Sequence, residues 1–123
     1  MIYEIRAYTI RPGKMEEFLA FFNREGSSIG GTIKTHGQLI GHWQTVRRFL
    51  VDVVGTEFKE EDQKEASNEV VYMLAFKDMA QRTEFWKSFG NDKRWQKERP
   101  TFTSLVSKMD IKILNPTKVS PLK

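Results

Sequence analysis

The chain has 123 residues, of which 39% are hydrophobic, 29% charged and 12% aromatic, with a net charge of +4 and no cysteine. That length suits one domain with a single core, and the composition excludes a disordered segment. Without cysteine there is no disulfide, thiolate nucleophile or thiolate metal site, and with His36 and His42 as the two imidazoles no metal centre is expected.

Glu4, Arg6 and Tyr8 recur at every second position of residues 2–10, so in a strand they project from one face, between Ile2 and Ile10. A face carrying an acid, a base and a phenol needs partners or water. Pro12-Gly13 ends this strand, and Glu16 and Glu17 put negative charge in the first turn of a helix, where its dipole favours it. Met15, Phe18, Leu19 and Phe22 follow at i, i+3, i+4 and i+7 as one buried stripe. The pattern weakens at Gly26-Ser27-Ser28. Gly30-Gly31 then predicts a broken helix end before Lys34, because glycine costs about 1 kcal/mol in a helix interior.

Residues 38–46 alternate as a second strand, with Gly41 marking a bulge and His42 sharing its parity with Gln44. Residues 47–67 exceed what a hairpin between neighbouring strands needs. Within them 49–54 are strand-prone and 57–65 mostly charged, which predicts a strand extension or arm followed by a solvated loop. Residues 68–76 read as a strand covered on both faces. Asp78 and Gln81 have capping-box spacing, and Phe85, Trp86 and Phe89 form the stripe of the helix that follows, with Gly90 as a left-handed stop. Residues 92–99 predict a short helix ended by Pro100, and 103–114 a last strand carrying Leu105, Met109, Ile111 and Ile113. His36 falls at a turn.

The order strand, helix, strand, strand, helix, strand defines an α+β class, the ferredoxin-like βαββαβ arrangement with a four-stranded antiparallel sheet. Residues 1–115 form that domain, with an insertion at about 47–67 and a tail at 116–123. Two helices cover one side of such a sheet. Its other side would expose apolar residues, which predicts a homodimer whose sheets pack into a shared barrel-like cavity.

No window approaches the roughly 20 apolar residues that cross a bilayer, and no signal-like segment opens the chain, so the expectation is a soluble, cytoplasmic protein without a membrane partner. The basic residues are dispersed rather than gathered in a block. An RNA-recognition module shares the topology, but Glu69-Val-Val-Tyr-Met-Leu-Ala-Phe76 lacks its aromatic pattern, so no nucleic-acid partner is expected. Walker, Rossmann, nucleophile-elbow and HExxH patterns are absent, and no cofactor is expected.

The opening Ile2-Tyr-Glu-Ile-Arg-Ala-Tyr-Thr-Ile-Arg-Pro-Gly-Lys14 resembles the start of NIPSNAP-family domains. Leu39-Ile-Gly-His-Trp43, the strand at 70–76 with Lys77-Asp-Met-Ala-Gln-Arg82, Trp95-Gln96 and Ile113-Leu-Asn-Pro116 follow in the expected order. The resemblance implies a dimeric α+β barrel, a group that includes cofactor-independent monooxygenases and other small-molecule proteins. Some eukaryotic NIPSNAP members look like mitochondrial or trafficking-associated interaction proteins. The chain departs from the family in its longer run after Val46-Arg-Arg-Phe49 and in His42, where the family often has tyrosine.

Glu4, Arg6, Tyr8, His42, Gln44 and Tyr72 are the candidate ligand-binding residues of the inter-sheet cavity, with Trp43 as a further wall. His42 is the candidate catalytic base, since its ordinary pKa lies near neutrality, and Arg6 the stabiliser of developing negative charge. Glu4 and Arg6 equally suit a structural ion pair, Trp43 and Tyr72 ordinary core packing, and His42 a structural or solvent-facing position. The functional alternatives are a small-molecule-binding dimer, a cofactor-independent monooxygenase-like enzyme, and a non-enzymatic module presenting residues 47–67 to a protein partner.

Overall fold

In chain order the elements are β1 (Ile2–Ile10), α1 (Met15–Asn23), β2 (Leu39–Gln44), β3 (Phe49–Val51), β4 (Phe58–Glu60), α2 (Gln63–Ala66), β5 (Glu69–Phe76), α3 (Met79–Gly90), α4 (Lys93–Leu105) and β6 (Val106–Leu114). The structure, a computed structural model, describes residues 1–24, 33, 38–51, 54 and 58–122. His36, Ser27-Ser28, Gly30-Gly31 and the expected broken helix end lie outside the described residues.

The main sheet has the order β2-β5-β1-β6, antiparallel throughout, which is the ferredoxin-like arrangement. The register fixes which side chains share a face, because residues directly opposite in an antiparallel pair point the same way. His42, Tyr72, Arg6 and Ile111 make one row across the sheet, and Gln44, Val70, Tyr8 and Met109 the next. The register shift between Leu39 and Gly41 is the expected bulge. A Cβ on Gly41 would run into the Trp43 ring.

The helices pack on the face that carries Tyr8, Val70, Tyr72, Leu74 and Phe76, closing a core with Phe18 and Phe22 of α1, Phe89 of α3, and Phe102 and Leu105 of α4. α1 keeps its predicted stripe, with Glu16 and Glu17 in its first turn. Gly13, at φ 77°, supplies the left-handed turn between β1 and α1 that a side chain would strain. Asp78 accepts from the Gln81 amide at 2.9 Å, while Gln81 reaches back to the Lys77 amide at 2.6 Å, one residue earlier than a standard capping box. On the other face of the sheet Ile5, Ala7, Val71 and Met73 are half-buried, and Trp43 is 52% exposed.

Several expectations need correction. Pro100 does not end a helix: α4 runs through it to Leu105, so residues 103–105 are helical and β6 begins at Val106. A proline inside a helix costs about 3 kcal/mol. Burying Phe102 and Leu105, each about 1.5–3 kcal/mol, offsets that. Gly90 is the last helical residue and has no positive φ, and Asn91 caps α3 in the right-handed region. β6 lies at the sheet edge, and its Met109, Ile111 and Ile113 stay substantially exposed although they share the face of Tyr8, Arg6 and Glu4. The described residues of the insertion form further elements. β3 and β4 pair as a separate hairpin with Phe49, Leu50 and Val51 exposed, tied by Arg47 to Glu60 at 2.6 Å, and α2 follows with Asp62 as its cap.

Candidate functional site

The alternation of β1 carries Glu4, Arg6 and Tyr8 to the helix-covered face. These residues therefore do not face a second sheet, and the expected inter-sheet cavity is not built from them. The physical reason is that helices α3 and α4 satisfy this row within the chain. Glu4, at 0% exposure, accepts from Arg6 Nε at 2.6 Å, Arg82 Nε at 2.7 Å and the Trp86 indole N–H at 3.0 Å. Arg6 also stacks on the Trp86 ring at 3.8 Å and donates to the Tyr8 hydroxyl at 3.2 Å. Tyr8 and Tyr72 share a 2.6 Å hydrogen bond. The result is one connected network, Arg82–Glu4–Arg6–Tyr8–Tyr72, running from the helix surface into the core.

Its electrostatics follow from burial and partners. Burial alone would raise the Glu4 pKa, but the hydrogen bonds from Arg82, Arg6 and Trp86 outweigh it and hold the carboxyl below its ordinary value. Burial opposes the charge of Arg6, yet Tyr72, Tyr8 and Glu4 together push its pKa up, so the guanidinium is a permanent cation. Burial, reinforced by Tyr8, pushes the Tyr72 phenol well above 10, which keeps it a neutral hydroxyl.

Beside this network lies a cavity of about 240 Å³ between the sheet and α3 and α4. Arg6, Tyr8 and Tyr72 form its polar floor, and Trp86, Trp95 and Phe102 its aromatic walls. Trp95 contacts Phe89 at 4.9 Å and Phe102 at 5.3 Å, and Phe102 meets Tyr8 at 5.5 Å, so the walls belong to the packed core. Met109, 48% exposed, and Gly90 stand at the mouth. Two larger depressions, about 320 and 360 Å³, are rimmed mainly by exposed polar side chains such as Arg48 and Glu65 or Glu84 and Arg94, without a comparable convergence of buried groups.

Of the candidate residues, the structure brings Arg6, Tyr8 and Tyr72 together on the pocket and puts Glu4 directly behind it. His42 stacks on Phe22 at 4.3 Å and does not line the pocket. Its buried Nε2 has no hydrogen-bond partner among the described residues, and burial lowers its pKa. Gln44 turns away to donate to the Ser67 carbonyl at 2.9 Å, and Trp43 sits on the opposite face. The residues that sequence reasoning missed are Arg82, Trp86, Trp95, Phe102 and Met109. Arg82 and Trp86 stand at i and i+4 on α3, a spacing that puts a cation and an indole on one face. Among the described residues no cluster of three or more His, Asp or Glu side chains offers a metal site, and no helix is long and apolar enough to cross a membrane.

A four-stranded antiparallel sheet with helices on the face that holds the polar network places the chain in the ferredoxin-like α+β class. Its sequence matches the NIPSNAP family over residues 3–47 and 63–121, and the chain belongs to that family. The unmatched gap is the segment that folds as the β3–β4 hairpin. A NIPSNAP family protein from Agrobacterium tumefaciens is 30% identical, with a TM-score of 0.70 over 99% of this chain and 90% of its own. A NIPSNAP domain protein from Burkholderia xenovorans is 26% identical, with a TM-score of 0.71 over 98% and 99%. Human protein NipSnap homolog 3A is 29% identical over 80% of this chain, which spans 32% of that relative's length. An antibiotic biosynthesis monooxygenase, 11% identical with a TM-score of 0.52 over 95% and 99% of the two chains, shares the fold alone.

Proposed function

We propose that this chain binds a small molecule in the pocket between the sheet and α3 and α4. The observation that carries the reading is the convergence of a charged guanidinium and two phenols on the floor of an otherwise aromatic concavity, the usual composition of a ligand site. A structural ion pair alone would not need Arg6 to turn two faces, one on Glu4 and one on a hollow. A cavity of about 150 Å³ admits benzene, so 240 Å³ suits a ligand of about ten non-hydrogen atoms. The reading assigns no catalytic base, because His42 lies off the pocket.

Native mass spectrometry of gently purified protein, with Gly90→Leu as the comparison, tests this. A Cβ at Gly90 meets no described atom within 4 Å, so the backbone accepts a side chain there and leucine adds apolar bulk at the mouth. A discrete extra mass on the wild type that Gly90→Leu removes is expected. Its retention at full occupancy by Gly90→Leu would refute the site.

A homodimer through the open face of the sheet is a second reading, favoured by Trp43 standing 52% exposed beside half-buried Val71 and Met73. The same spectra report it. Met73→Lys is expected to give monomers, and an unchanged dimer would move the interface elsewhere.

A further inference from the structure

Resting on the pocket reading above, we infer that the ligand is an anion, a ring-containing carboxylic acid whose carboxylate meets Arg6 while its ring lies among Trp86, Trp95 and Phe102. Three observations lead there. The first is a surplus of donors. Arg6 uses Nε on Glu4 and Nη1 on Tyr8, and among the described residues Nη2 has no acceptor, while 11% of the side chain remains exposed. The two phenols hold two protons between them, and their mutual bond uses one. Whichever oxygen donates that bond, the other phenol proton has no acceptor among the described residues, and both rings line the pocket. Among the described residues no carboxylate or amide side chain lines the cavity to offer the opposite polarity.

The second observation is charge. The buried network contains one carboxylate, Glu4, against two cations, Arg6 and Arg82. The surplus on the Arg82 side is relieved by solvent, since that side chain is 25% exposed. The Arg6 side faces the hollow, where aromatic walls lower the local dielectric and strengthen its pull on an anion. The third is shape. The walls are indole and phenyl rings, which accept a flat ring edge-on or offset, and the volume matches a single ring with a short substituent.

Intrinsic tryptophan fluorescence of the full chain, titrated with benzoate and with benzamide, reads the inference directly, because Trp86 and Trp95 form the walls. The two probes have similar shape and differ in charge. Benzoate is expected to bind about 10- to 100-fold more tightly, the range that a charge-assisted hydrogen bond contributes. Arg6→Gln should bring benzoate to the level of benzamide. Because that substitution also breaks a buried pair, Met109→Glu serves as a second variant: it sets a negative charge at an exposed position on the mouth. It should weaken benzoate about tenfold and leave benzamide within about twofold. Equal binding of acid and amide, or equal weakening of both by Met109→Glu, overturns the anion inference and leaves the pocket reading intact. Failure of the wild type to bind either probe overturns both.

Discussion

Replacing Glu4 by glutamine removes the single negative charge from a network that otherwise holds two arginines. The side chain keeps its shape and one acceptor oxygen, while its amide nitrogen faces a donor, so the substitution removes the charge together with one acceptor. Removing one partner of a buried ion pair costs about 3–5 kcal/mol, because the other charge is left uncompensated. Here Arg82 is 25% exposed and recovers part of its hydration, whereas Arg6 retains only 11%. The lower end, about 3 kcal/mol, is therefore expected. For a chain of this length that corresponds to a Tm lower by about 10–15 °C. The effect also carries a pH signature. The Glu4 pKa is lowered by folding, so its stabilisation is complete above the ordinary carboxyl value of 4.5 and is lost as pH falls through the depressed folded value. Thermal melts followed by circular dichroism between pH 7 and pH 3 should show wild type and Glu4→Gln converging on the acid side. A difference under about 1 kcal/mol at pH 7, or one that does not change with pH, would refute the buried-charge account.

Trp86→Phe keeps the ring beneath Arg6 but deletes the indole donor to Glu4, and chemical denaturation should register a loss of about 1.5–3 kcal/mol. For His42 the folded pKa is lowered by burial, so stability is held above the ordinary value of 6.5 and declines as pH falls below it. His42→Phe should remove that decline, visible as a flatter Tm profile between pH 7 and pH 5, while leaving benzoate affinity within about twofold. Tyr72→Phe breaks the 2.6 Å bond to Tyr8 and should cost about 1 kcal/mol in urea melts. Gly41→Ala drives its Cβ against the Trp43 ring, which swings out from an already exposed site. A red-shifted emission with a loss of about 1–2 kcal/mol is expected.

Much of the fold was legible because local patterns and tertiary placement agree. The β1 alternation, the α1 stripe, the Asp78 cap and the Gly41 bulge each rest on contacts within a few residues. The errors fall where distant packing decides. Pro100 reads as a helix end until Phe102 and Leu105 are seen to bury on the core, and residues 103–105 read as strand until the helix is seen to run through them. Likewise, the row Glu4, Arg6, Tyr8 was visible, but parity alone cannot say which face of a sheet the helices take. Only the arrival of Arg82 and Trp86, 78 and 82 residues along the chain, turns that row from an inter-sheet site into the floor of a pocket within one subunit. His42 stood out by chemistry and was displaced by geometry, since its ring packs on Phe22 at the β2 end of the row whose Tyr72 and Arg6 reach the hollow.

The three tryptophans provide the most direct test of where a ligand sits. Trp86 and Trp95 wall the pocket, and Trp43 lies on the opposite face of the sheet. In a ¹H–¹⁵N correlation spectrum each contributes one indole signal. On titration with benzoate, the Trp86 and Trp95 signals should move together with a single dissociation constant while Trp43 stays fixed. Movement of Trp43 with the other two unchanged would place binding on the open sheet face and contradict the account.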